Sequence, residues 1–311
     1  MNDKILGLHH ITAIAGDAQR NYNFYTKVLG LRLVKKTVNF DDPGTYHFYF
    51  GNETGAPGTI LTFFPWEGIQ HGATGTGMAT EIGYSVPGES LEFWAKRFKE
   101  LNVKHQVVAE RFGEQYLQLE DPDGLVLNLV ANKTDNRKPW ETAAIKEDVA
   151  TKGFHNIVLA VRNSEATGRV LTDIFGYKFL TQEENRYRFI TNAVETANIV
   201  DIVELPDGVR GINAGGTNHH VAFRVKDDVT LMEFREKIAS SGFNITGKID
   251  RNYFYSLYFR ERGGVLFELA SDNPGFAVDE LVNELGTHLM LPAQYEESRK
   301  KIQALLPELQ Q

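Results

Sequence analysis

Apolar and polar positions along the chain repeat one arrangement four times: a strand-like run, a stretch with apolar residues at helical spacing, then three further strand-like runs. The first copy spans about residues 8–65. A strand over 8–14 leads into a helix from Asp17 to about Leu29, and strands follow near 31–38, 44–51 and 59–64. Asp17 suits an N-cap, Tyr22, Tyr25, Val28 and Leu29 form an apolar stripe, and Gly30 closes the helix. The second copy spans about 76–131. Its helix near 89–101 carries Leu91, Trp94, Phe98 and Leu101 on one side, and its last hairpin turns at Pro122-Asp123-Gly124 between alternating apolar residues.

The third copy opens at Gly153, has a helix near 164–175 ended by Gly176, and finishes over 198–205. The fourth opens with His219-His220, has a helix near 230–240 ended by Gly242, and closes with strands over 253–260 and 265–269 around the turn Glu261-Arg262-Gly263-Gly264. One such module cannot bury both faces of its short sheet, so modules should pair, with their sheets curling around a shared cavity. The chain is therefore predicted to be α+β, four tandem βαβββ modules forming two cup-shaped half-barrels. Residues 1–132 hold two modules, 133–152 read as a polar linker, 153–271 hold two more, and 272–311 form an extension with a helix near 293–305, between Pro292 and Pro307.

Composition narrows the chemistry. The chain has no cysteine, which excludes disulfides, thiolate nucleophiles, iron–sulfur clusters and Cys-zinc sites, so any metal must be held by His and carboxylate. A net charge of −8 with scattered Lys and Arg argues against nucleic acid as a partner. No apolar run approaches the roughly 18 residues of a membrane span, and the start lacks a signal-peptide pattern, so a cytoplasmic address is expected.

Four of the nine histidines lie in two equivalent places, His9-His10 and His219-His220, each in the opening strand of a module. Aligning the closing hairpins of modules two and four puts Asn128 at the place of Glu268, and counting back the same interval puts Thr80 at the place of His220. Aligning the opening strands puts Asn156 of module three at the place of His10, with His155 beside it. Only modules one and four can then supply two imidazoles and a carboxylate, His10, His220 and Glu268, to one cup, which leaves modules two and three as a structural pair. Two neutral imidazoles and one carboxylate on one face of an octahedron, with the other positions open, suit non-haem Fe(II) and its oxygen chemistry; Mn(II) fits the same ligands. Glu268, set among Leu266, Phe267, Leu269 and Ala270, is costly to bury unless it is paired or metal-bound. Period-two alternation turns His10 and Thr12 into the cup and His9 and His219 away from it unless a bulge intervenes.

The βαβββ repeats resemble the vicinal oxygen chelate superfamily of glyoxalases, extradiol dioxygenases and antibiotic-resistance proteins, over nearly the whole chain. The His-His-x-Thr opening, the late His-His pair and the closing Glu resemble more specifically the hydroquinone ring-cleaving dioxygenases, in which the first and fourth modules build the iron site. That resemblance implies His10, His220 and Glu268 as iron ligands, with His9, Thr12, His219, Arg251 and Tyr258 around them. It implies a small aromatic diol and dioxygen as substrates. His9 or His219 is then a candidate proton donor or acceptor, since imidazole titrates near working pH. Homodimerisation is left open.

Two other functions compete: a glyoxalase-like isomerase or thiol transferase, whose sites commonly add a fourth protein ligand, and a non-catalytic binder of small aromatics. Module one offers no fourth ligand, because its closing strand reads Leu61-Thr62-Phe63-Phe64. His47, His71, His105, His155 and His288 read as ordinary polar residues, and the run Gly72–Gly77 reads as a loop, since it lacks the strand–loop–helix setting of a phosphate cradle.

Overall fold

The computed structural model describes residues 5–311. The first module comprises β1 (Leu8–Ala15), α1 (Ala18–Asn23), β2 (Arg32–Asn39), β3 (Asp42–Gly51) and β4 (Ile60–Pro65). The second has β5 (Met78–Val86), α2 (Leu91–Glu100), β6 (Ala109–Arg111), β7 (Glu114–Glu120) and β8 (Val126–Ala131). The third has β9 (Gly153–Val161), α3 (Ser164–Arg169), β10 (Lys178–Glu183), β11 (Arg186–Ile190) and β12 (Ile199–Glu204). The fourth has β13 (Asn218–Val225), α4 (Asp228–Ser240), β14 (Ile249–Asp250), β15 (Phe254–Arg260) and β16 (Leu266–Pro274).

The predicted α+β class and module order are observed, with one local difference. The helices of modules one and three convert after α1 and α3 into single π-helical turns, Phe24–Val28 and Val170–Ile174. Asp17 caps α1 as expected, its side chain accepting from the Arg20 amide. Each helix turns its apolar face onto a sheet: Leu91, Trp94 and Phe98 of α2 and Leu231, Phe234 and Ile238 of α4 are buried at helical spacing.

Hydrogen bonding joins the strands into two eight-stranded sheets. One runs β14-β15-β16-β13-β1-β4-β3-β2 and the other β10-β11-β12-β9-β5-β8-β7-β6. Module one therefore shares a sheet with module four, and module two with module three. The connectors between modules hold the two sheets together: Gly72, Ala73 and Thr76 donate to the carbonyls of Gly215, Ile212 and Val209. The Gly72–Gly77 run is thus a paired connector.

The extension covers one end of the first sheet. Its helix α5 (Arg299–Leu305) is preceded by a 3-10 stretch, Ala293–Ser298. Tyr295 donates to the Phe40 carbonyl at 2.6 Å, and Phe276 stacks on Tyr253 with ring centroids 5.1 Å apart. The Lys35 ammonium, wholly buried on β2, meets Asp279 Oδ1 and Glu280 Oε2, each at 2.5 Å.

Candidate metal centre

The site begins with two irregularities at the centre of the first sheet, where β1 and β13 run antiparallel. Leu8 pairs with Phe223 and His10 with Ala222, so β1 carries an extra residue at His9. Thr12 pairs with His220 and Ala13 with Asn218, so β13 carries an extra residue at His219. Each His-His pair thus sits on a β-bulge, and the bulge keeps the first histidine beside the second instead of sending it to the opposite face.

The contacts follow. His9 Nδ1 lies 2.9 Å from His10 Nδ1, and His219 Nδ1 lies 2.8 Å from His220 Nδ1. One nitrogen of each such pair carries the proton. With Nδ1–H of His10 and His220 donating backward, their Nε2 lone pairs face each other across 3.4 Å at the centre of the cup.

Glu268 completes the group from β16, where it pairs in register with Ala222 of the neighbouring parallel strand. It is fully buried, and its Oε1 accepts the Ser256 hydroxyl. Its Oε2 lies 2.8 Å from His220 Nε2 and 3.2 Å from His10 Nε2, yet it has no hydrogen-bond partner among the described residues. The three donor atoms converge within 4.8 Å of one another. An orphaned buried carboxylate oxygen flanked by two inward imidazole nitrogens is costly by itself and is relieved by a cation, so the residues present fit a metal ion. Burial opposes ionisation of Glu268, but without a metal ion protons on the two facing imidazole nitrogens hold its carboxyl well below the usual range, and a bound cation would take the place of those protons.

A cavity of about 150 Å³ opens beside these atoms. Its wall brings together His10, His220, Thr12, His219, Arg251 and Tyr258. His9 stands behind His10, its ring 5.1 Å from Phe254. Tyr258 sits opposite Glu268 in register, with its ring 5.6 Å from that of His220. Arg251 lies over the Tyr258 ring at 5.5 Å and reaches Asp41 at 3.7 Å across the mouth. Burial, followed by the neighbouring imidazole, pulls His219 down to about 3 and His9 well below its ordinary value. Both are neutral near pH 7, so titration near working pH is not the property that would make them useful.

Several wall residues escape a sequence reading. His47, Tyr49, Phe64, Trp66 and Phe254 line the same cavity, and Thr62 and Ser256 stand directly behind Thr12 and Glu268. The available signal was period two on β3, where Tyr46, Phe48 and Phe50 are buried core residues and His47 and Tyr49 point into the cup. Thr62 pairs with Thr12 in register, two residues beyond His10, just as Glu268 pairs with Ala222, two residues beyond His220. Thr62 therefore holds, in module one, the position that the carboxylate holds in module four.

The second sheet has the same bulges, at Thr80 of β5 and His155 of β9, without the ligands. Asn128 pairs with Gly83 as Glu268 pairs with Ala222. The residue at the place of His220 is consequently Glu81, not Thr80 as the hairpin alignment predicts, because the segment joining these strands is one residue longer in module four. Ion pairs fill this cup. Glu81 accepts from Asn128 at 2.8 Å, Arg111 at 2.9 Å and Arg186 at 2.8 Å. Arg188 joins Asp201 at 2.8 Å to Glu114 at 2.5 Å, and His155 Nε2 lies 3.0 Å from Glu114.

Repeated βαβββ modules, paired one with four and two with three, with a convergent His-His-Glu group in one pair, define the kinship. The profile of the Glyoxalase/Bleomycin resistance protein/Dioxygenase superfamily matches residues 7–129 and 153–269. The chain belongs to this superfamily. It is 46% identical over 99% of its length, and 98% of the relative's, to the "Putative ring-cleaving dioxygenase MhqO" of Bacillus subtilis. It is 33% identical to the chlorohydroquinone/hydroquinone 1,2-dioxygenase of Sphingobium indicum, over 94% of each chain. A crystal structure of a Bacillus subtilis protein, titled as a putative dioxygenase, superposes with a TM-score of 0.96 at 45% identity, covering 99% of this chain and 98% of that one.

Proposed function

We propose that the chain is a non-haem Fe(II)-dependent dioxygenase that opens the ring of a small hydroquinone or catechol, with His10, His220 and Glu268 as the iron ligands. The observation that carries this reading is the three-ligand group with Thr62, rather than a fourth carboxylate, at the module-one position equivalent to Glu268. A hydroxyl already bonded to Thr12 leaves coordination positions for small molecules, whereas an isomerase-type site fills that position with protein. Mn(II) fits the same donors. Bound there, iron would supply open positions and the one-electron chemistry that lets dioxygen react with an electron-rich ring.

The chain's own residues then do the rest. Arg251, kept charged by Tyr258 and Glu268 although burial opposes it, offsets the negative charge of a deprotonated diol oxygen. Tyr258 is held protonated by burial and by the nearby Glu268 charge, so its phenol is a hydrogen-bond donor toward the cavity. Thr12 presents a second hydroxyl. Phe64, Trp66 and Phe254 supply apolar ring-sized walls that exclude water. The neutral rings of His9 and His219 accept from the ligand imidazoles and fix their orientation.

The test is direct. Loaded anaerobically with Fe(II), the protein should take up dioxygen with hydroquinone or catechol and form a ring-opened product. Absence of uptake across a panel of substituted diols at full iron occupancy would sink the reading.

A further inference from the structure

Four side chains are hydrogen-bonded in series beside the cavity, from β3 through β4 to β1. The Tyr49 hydroxyl meets His47 Nδ1 at 3.0 Å, His47 Nε2 meets Thr62 Oγ1 at 2.9 Å, and Thr62 Oγ1 meets Thr12 Oγ1 at 2.8 Å. Hydroxyls both donate and accept, and a neutral imidazole does one of each, so the series can in principle be polarised in either direction.

The acidity of its members decides which. If protons point from Thr12 toward Tyr49, the phenol O–H comes last, and it needs an acceptor other than His47. Around Tyr49 stand the rings of Tyr253, Phe254 and Phe276, 6.1, 6.4 and 5.1 Å away between centroids, and His47 is the one hydrogen-bond partner of its hydroxyl among the described residues. Tyr49 lines the cavity as Thr12 does, so position alone does not separate the directions, but the direction toward Tyr49 makes the phenol, the most acidic hydroxyl of the series with an ordinary pKa of about 10, accept from the imidazole instead of donating to it, which is the weaker arrangement. In the opposite direction Tyr49 donates to His47 Nδ1, His47 Nε2–H donates to Thr62, and Thr62 donates to Thr12. Every donor is then satisfied except that of Thr12, which stands on the cavity wall.

We propose that Tyr49, His47 and Thr62 are positioning residues that polarise this series and so fix Thr12 as a hydrogen-bond donor into the cavity, directed at an oxygen of the bound diol. The proposal rests on the dioxygenase reading for the identity of the acceptor, but the direction of the series stands on the side chains alone.

Two further observations agree with it. Burial pushes Tyr49 well above its ordinary value, and burial, followed by the neighbouring His10 and Arg251, holds His47 well below its own, so both occupy the neutral states the series needs. The second is pseudo-symmetry. Thr62 stands where Glu268 stands in module four, and the residue opposite each is a tyrosine: Tyr49 for Thr62 and Tyr258 for Glu268. Two residues before each tyrosine lies the side chain that bonds the central group, His47 to Thr62 and Ser256 to Glu268. Module four uses this arrangement to steady a carboxylate, and module one uses it to orient a hydroxyl.

Two measurements test the proposal. In the metal-free protein, ¹⁵N spectroscopy of the histidine rings, with His47→Asn to assign the signal, should show His47 protonated on Nε2 and unprotonated on Nδ1. A His47 protonated on Nδ1 would overturn the stated direction, whatever the protein catalyses. In the iron-loaded protein, Thr62→Val should lower kcat about tenfold or more with KM within about twofold, and Thr62→Ser should restore kcat to within about threefold of wild type. Equal kcat for the valine and serine variants, in a preparation whose wild type turns over, would overturn the role of the series. Failure of the wild type itself to consume dioxygen would count against the dioxygenase reading, and the ¹⁵N result would still decide the direction.

Discussion

Glu268 is supported from behind. Its Oε1 takes the Ser256 hydroxyl in a fully buried setting while its Oε2 is left to the centre of the cup. Removing that hydroxyl frees the carboxylate to rotate toward His220 and blunts the convergence of the three donors. Ser256→Ala should therefore weaken Fe(II) affinity by roughly 10–100-fold without unfolding the protein, as measured by competition with a chelator. Replacement of His10, His220 or Glu268 by Ala should cost more than that, to the point that iron no longer copurifies; full iron occupancy in all three variants would refute the ligand assignment. Lys35 makes a different prediction at the same scale. Its ammonium and the carboxylates of Asp279 and Glu280 pin the extension to β2, and Lys35→Ala would leave Glu280 buried without its cation. The expected loss is about 3–5 kcal/mol in urea unfolding, whereas an exposed pair such as Lys96–Glu100 should cost less than about 1 kcal/mol.

At the scale of elements, the register of two strands explains both what the chain disclosed by its residues and what it concealed. Strand–helix–three-strand periodicity, the Pro-Asp-Gly turn and the distribution of His and Glu were sufficient for the module order and for the pairing of one with four. Bulges were not legible, because an extra residue in one strand of an antiparallel pair is defined only against its partner. That is why alternation alone left His9 and His219 facing the wrong way, and why a hairpin count placed Thr80 where Glu81 stands. His47 and Thr62 were hidden for a related reason: each looks like an unremarkable polar residue in a strand until the facing strand supplies its hydrogen bonds.

The second cup carries its own prediction. Burial pushes the Glu114 carboxyl up, but His155 and Arg188 more than reverse this and bring it down to about 2. An unfolded glutamate binds its proton near about pH 4.3, so between these values the unfolded chain takes up a proton that the folded chain refuses. The stabilisation is full above that range and is lost as pH falls toward about 2. Glu114→Gln should flatten the acid limb of a stability profile by an amount of order 1–2 kcal/mol, after solvent screening of this partly exposed group is discounted. An unchanged acid limb in the variant would show that the ion pairs filling this cup do not set its acid stability.

For the whole molecule, the proposed metal site joins the two ends of the chain, since His10 lies on the first strand and Glu268 on the last. A ligand that binds only when modules one and four are docked stabilises that docking by mass action, about 2.7 kcal/mol at a free concentration one hundred times Kd. The two sheets are also tied to each other. Gly16 and Arg20 of module one bond Asp123 in the module-two hairpin, and the Tyr25 hydroxyl donates to Asp121 at 2.9 Å. Stabilisation applied to the first sheet should therefore be felt by the second. Calorimetry of the metal-free protein should show one transition that rises by several degrees with Fe(II) or Mn(II), at roughly 2–4 °C per kcal/mol for a chain of this order of size. Glu268→Gln should abolish the rise. Two resolved transitions, of which metal moves one, would mean that each sheet unfolds by itself and that the contacts through Asp121 and Asp123 do not couple them. In that case Tyr25→Phe should leave the metal-dependent rise confined to one component, whereas in a coupled molecule, still joined by the paired connectors and by the bonds to Asp123, it should lower the single transition by a few degrees without splitting it.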